Sequence, residues 1–116
     1  MGAHRISTRP STRHVRVEHD GVVLADSRRA IELEETRLPT RYYLPREDVR
    51  TDLLEASATT SHCPFKGDAT YLSAQGAPDA FWVCERPSEA AAQPIAGMPA
   101  PWLGRVTVIV DGEPLR

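Results

Sequence analysis

The amino-acid sequence predicts an all-β domain, and three observations carry that expectation. Apolar and polar residues alternate with a period of two in Val15-Arg16-Val17-Glu18-His19 and again in Ala30-Ile31-Glu32-Leu33-Glu34, the pattern of a half-buried strand. Asp20-Gly21 stands between two β-prone runs, and both positions of a two-residue hairpin turn need the positive φ that this pair tolerates. About seven short strand-like runs are separated by Gly, Pro and small polar residues, with little that is helical, as in domains of packed sheets.

The elements follow in order. Residues 1–13, MGAHRISTRPSTR, are basic and polar and read as a disordered leader ahead of one domain over residues 14–113, with residues 114–116 as a tail. Val15–His19 and Val22–Ala25 form the hairpin around Asp20-Gly21. Asp26-Ser27-Arg28-Arg29 turns the corner, because short polar side chains bond their local backbone. Arg41-Tyr42-Tyr43-Leu44 is a short aromatic strand closed by Pro45, which suits the start of a helical turn over Arg46–Arg50. Leu53-Leu54 is expected to pack inward and residues 56–61 to form a loop. Thr59–Cys63 and Ala69–Ser73 pair across the turn Pro64-Phe65-Lys66-Gly67-Asp68, and Ala80–Cys84 follows. Pro87, Pro94, Pro99 and Pro101 keep the next segment irregular, apart from one helical turn over Ser88–Ala92. Arg105–Val110 is the last strand, ended by Asp111-Gly112.

With 116 residues the chain suits one domain, and at that size it buries enough surface to need neither metal nor disulfide. A net charge of −2 gives no electrostatic case for nucleic acid or an anionic membrane, and no apolar run is long enough to span a bilayer. The leader has no apolar core of a secretory signal, and Ile6 breaks a myristoylation pattern. Two cysteines without such a signal point to a reducing cytoplasm.

The densest chemistry lies in Ser61-His62-Cys63-Pro64-Phe65-Lys66-Gly67-Asp68-Ala69-Thr70-Tyr71. Thirteen of the 14 Lys and Arg residues are arginine, so Lys66 stands alone in type. Beside a turn glycine it reads either as a cation aimed at a carboxylate or phosphate, or as a solvated hairpin lysine. Cys63 reads as a small packed thiol, with a nucleophile or redox thiolate activated by Lys66 as the sharper alternative. His62 cannot easily serve Cys63, because adjacent strand residues face opposite ways. A structural zinc site is not expected: Cys63 and Cys84 are 21 positions apart with no Cys-x-x-Cys knuckle. Nucleotidyl transfer wants paired carboxylates and a glycine-rich phosphate cradle; Asp26 and Glu47-Asp48 offer acids, but no cradle is present.

The runs RVEHDGVVLADSRRA, RYYLPREDV and HCPFKGDATY, then W-x-C-x-x-P-x-E-A and PIAG, resemble the domain-of-unknown-function 427 family over roughly residues 15–112. That family is sometimes grouped under a nucleotidyltransferase-like heading. The resemblance implies a β-tent (Mss4-like) fold, two antiparallel sheets meeting at a steep angle, whose relatives often carry zinc and bind small ligands between the sheets. Two departures stand out: Cys84 occupies a position where the family pattern suggests tyrosine, and Pro99 and Pro101 interrupt a segment expected to be an aromatic strand.

Fold analogy and the 61–71 cluster together give the functional expectation. A small polar or anionic molecule would bind between the sheets, walled by Tyr43, Tyr71 and Trp82, with Ser27, Cys63 and Lys66 at the mouth and no metal or other cofactor. The alternatives are an enzyme with Cys63 as nucleophile and Lys66 as its activator, and an interaction module that forms a homodimer through an exposed strand edge.

Overall fold

The computed structural model describes residues 4–64 and 66–115, so the expectations for Met1 to Ala3, Phe65 and Arg116 lie outside the described residues. Within them the chain is all-β. The strands are β1 (Ile6–Pro10), β2 (Val15–His19), β3 (Val22–Ser27), β4 (Ile31–Glu35), β5 (Arg41–Tyr43), β6 (Leu54–Cys63), β7 (Gly67–Ala74), β8 (Ala77–Cys84), β9 (Ala100–Pro101), β10 (Thr107–Val110) and β11 (Glu113–Pro114). They form three antiparallel sheets with strand orders β1-β4-β5, β11-β10-β2-β3 and β6-β7-β8-β9. Helical structure is confined to 3-10 turns at Arg46–Asp48, Thr51–Leu53 and Ala90–Ile95. None of the described helices is long and apolar enough to cross a membrane.

The hairpin signal works as its chemistry requires: Asp20 and Gly21 take φ of 49° and 79° and join β2 to β3. The apolar positions of the alternating strands meet in two clusters. Val15, Val17, Leu24, Leu44, Phe81 and Val108 fill one, and Leu33, Tyr43, Cys84 and Ile95 lead the other.

Four expectations are corrected. Residues 6–10 are not a disordered leader but strand β1, paired with β4 from Ile6↔Glu35 to Pro10↔Ile31. Its order comes from partners distant in sequence. Arg9 donates to the buried Glu32 carboxylate at 3.0 Å, Arg13 lies 3.6 Å from the same carboxylate, and Thr8 donates to the Ala91 carbonyl at 2.8 Å. Residues 56–61 are not a loop but part of β6, whose pairing with β7 is irregular between Ala56 and Thr60. Leu53 faces outward at 38% exposure, because it ends a one-turn 3-10 helix at the surface. Pro114 belongs to β11 and not to a tail, because Asp111-Gly112 turns the chain back onto β10. The prolines of the last third do shorten the sheet: β9 is a two-residue edge strand, the place where a residue without N–H is tolerated.

The Glu32 clasp makes the fold acid-sensitive. Burial alone would raise the Glu32 pKa, but the Ser11 hydroxyl, the Arg9 hydrogen bond and the charges of Arg9 and Arg13 outweigh it and hold the carboxyl below the ordinary glutamate value. A lowered folded-state pKa contributes stability above the unfolded value, and that contribution is lost as pH falls through the folded one. Urea midpoints measured from pH 7 down to pH 3 are therefore expected to fall below about pH 4.5. The fall should be shallower in Glu32→Gln, and an identical pH profile in the two proteins would count against the clasp.

Candidate functional site

Strands β6, β7 and β8 place the candidate side chains by register. Cys63 pairs with Gly67, Ala69 with Cys84, and Tyr71 with Trp82. Positions two apart share a face, so Cys63, Tyr71, Trp82 and Cys84 lie on one side of the sheet. His62 lies on the other side, 2.7 Å from Asp68, and so is turned away from Cys63. Both cysteines are free thiols, Cys63 half-buried and Cys84 buried. Burial pushes the Cys84 thiol up, against a smaller opposing pull from the Lys66 charge, and this keeps it protonated and inert.

The Lys66 amine is turned into the protein and away from bulk water. Its Nζ lies 2.9 Å from Glu35 Oε1, with the two side chains only 13% and 5% exposed. The contact is one of charge rather than direction, because Oε1 is buried and has no partner with hydrogen-bond angles. The other Glu35 oxygen lies 3.0 Å from His4 Nε2. The single lysine is thus neutralised inside the protein by a carboxylate from β4, and it is not a free activator of Cys63. Glu35 was missed in the sequence although its signal was present: it continues the inward face of Ile31 and Leu33 by two more positions.

The expected pocket wall is also corrected. Tyr43 is fully buried, so it fills the space between the sheets instead of lining an opening. Trp82 Nε1 donates to its hydroxyl at 3.0 Å, and the two rings meet edge to face with centroids 6.2 Å apart. Burial raises the Tyr43 phenol far above its usual pKa, so it stays neutral. Ser27 lies away from this cluster. Its hydroxyl donates to Asp48 at 2.8 Å and accepts from the Arg29 N–H at 3.0 Å, which makes it the brace of the β3–β4 corner. Among the described residues, no three His, Cys, Asp or Glu side chains converge as a metal set.

What the fold does leave partly exposed is an aromatic shelf. Tyr71 and Trp82 are half-buried and continue into Trp102, at centroid distances of 5.8 Å and 6.3 Å respectively. The Ser61 and Tyr71 hydroxyls meet at 2.8 Å and fix the tyrosine ring. Two guanidinium groups border the shelf. Arg105 stacks 3.6 Å from the centre of Trp102 and is shared with Asp79 at 3.7 Å. Arg41 stands 5.7 Å from the centre of Trp82 and has no carboxylate partner among the described residues. Trp102, Arg41 and Arg105 went unnoticed in the sequence because none of them is near the 61–71 run. A hollow of about 410 Å³ lies apart from the shelf, between Arg5, Glu34, Glu35 and Thr40.

The family model described as a domain of unknown function (DUF427) matches residues 7–112, and no curated protein matches the chain.

Proposed function

The chain belongs to the domain-of-unknown-function 427 family, and on that premise we propose that it binds a small molecule carrying a flat ring and a carboxylate or phosphate, on the Tyr71–Trp82–Trp102 shelf. The observation that carries this reading is Arg41: a half-buried residue whose guanidinium stands over the Trp82 ring at 5.7 Å, without a carboxylate partner among the described residues. Such a group keeps its full charge for a ligand, and the neighbouring rings, with Tyr71 tilted 41° and Trp82 turned 88° to Trp102, offer separate apolar faces on which a flat ring can stack. Lys66, by contrast, is taken up by the pair with Glu35. The same reading takes the fold as a β-tent, supported by sheets that meet across two apolar cores, and the compartment as the cytoplasm, supported by two unpaired thiols.

Titration with adenosine monophosphate and with an aromatic carboxylate such as naphthoate, followed by tryptophan fluorescence, tests it. Saturable quenching is expected from one or both. Arg41→Ala should weaken it about 10-fold or more, the usual worth of a hydrogen bond to a charged group, and Arg41→Lys should weaken it less. No saturable signal from either probe, or equal affinity in Arg41→Ala, overturns the reading.

A further inference from the structure

A second hollow, unrelated to the shelf, opens where two hairpin tips meet. The β2–β3 turn and the β7–β8 turn, with Leu53 beside them, enclose about 450 Å³, within the usual range for small-ligand sites. Val22, Leu24, Leu53 and Ala74 supply its apolar surface, and His19 and Asp20 its polar mouth. Val22 and Leu53 are two of the large hydrophobic side chains that the fold leaves exposed, at 47% and 38%. The space beside the mouth depends on a missing side chain: a Cβ at Gly76 would stand 3.3 Å from His19 Nε2 and 3.7 Å from Asp20 Oδ2.

The polarity of the mouth selects the ligand. The Asp20 side chain is 83% exposed, and its Oδ2 lies 3.3 Å from His19 Nε2. That contact lacks hydrogen-bond geometry, and the buried Nε2 has no hydrogen-bond partner among the described residues. An adjoining hollow of about 380 Å³ shares Leu53 and Ala74 and is lined by Asp52, whose carboxylate accepts from two donors of Arg50 at 3.0 Å and 2.8 Å, and by Glu55, which does not line the hollow between the hairpin tips. The carboxylate left to face a cation at this hollow is Asp20.

We propose that the hollow between the hairpin tips is a binding site for a small organic cation: an ammonium group at Asp20, with an aliphatic body on Val22, Leu24, Leu53 and Ala74. No covalent step is involved. The charge sits at an exposed carboxylate, so its share of the affinity is modest, and apolar burial supplies the rest.

Amide chemical shifts of the whole chain, followed during separate titrations with n-hexylammonium, hexan-1-ol and hexanoate at equal ionic strength, test the assignment. Hexylammonium is expected to bind tightest and hexanoate weakest, with shifts centred on residues 19–24, 53 and 74–76. Asp20→Asn should weaken hexylammonium about fivefold, to the level of the alcohol, while leaving the alcohol unchanged. That variant keeps the fold testable, because Asn-Gly suits the same turn. Equal binding of alcohol and ammonium, an unchanged affinity in Asp20→Asn, shifts centred on Asp52 and Glu55, or no shifts with any probe would each overturn it.

Discussion

Lys66→Met is expected to cost the fold about 3 kcal/mol, the low end of the penalty for removing one partner of a buried ion pair. The reason is not the loss of an attraction but the charge that stays behind. Glu35 is 5% exposed, its Oε1 has no hydrogen bond, and Lys66 supplies the charge that faces that oxygen at 2.9 Å. Without it the carboxylate stays inside the protein with His4, at 3.0 Å, as its other ionisable neighbour among the described residues. The cost belongs to the orphaned charge, so removing both partners should be far milder. The double variant Lys66→Met with Glu35→Leu is expected to recover most of the loss. Urea unfolding at pH 7 of the parent, both single variants and the double closes the cycle. A Lys66→Met protein within about 0.5 kcal/mol of the parent would mean that the pair is solvated in solution.

Gly67→Ala is expected to be as damaging, for a different reason. Gly67 opens β7 with φ of 81°, where a side chain is strained, and a Cβ there would stand 2.5 Å from the Arg86 carbonyl oxygen. That neighbour is backbone, so it cannot swing aside. Either β7 or the segment after β8 has to move, and β7 carries Ala69 and Tyr71 opposite Cys84 and Trp82. Overpacking costs about 1–3 kcal/mol, and the positive φ adds about 1 more. Gly104→Ala separates the two contributions. It has φ of 101° but nothing within 4 Å of the added carbon, so it should lose only the conformational part. Thermal melts of the two variants side by side are expected to differ by at least about 1 kcal/mol. Equal losses would show that contact with Arg86 is not what excludes a side chain.

Local signals located most of the strands. Asp20-Gly21 produced its hairpin, and the alternation of Val15–His19 and Ala30–Glu34 produced β2 and β4, although Glu32 is buried where the alternation places a polar residue outward. Where local reading failed, a distant partner decided. Ile6–Pro10 is too polar to announce a strand, yet β4 and the buried Glu32 hold it in place. Residues 56–61 look like a polar loop because an edge strand facing water buries little, while its order comes from pairing with β7. The candidate site divides in the same way. Cys63, Tyr71 and Trp82 do share one face of a sheet, as their spacing allowed. Ser27 and Tyr43 do not serve an opening, because one braces a corner against Asp48 and the other fills the core.

The sequence by itself determined the class of fold, the position of its turns and the one stretch where reactive groups gather, because alternation and turn chemistry act between near neighbours. Only the tertiary structure decided what those groups meet. Lys66 finds Glu35, Trp82 finds Tyr43 and Arg41, and Trp102 finds Arg105. Each of these partners except Arg105 comes from another part of the chain, and a charge or a ring acquires its role from the partner that desolvates or neutralises it.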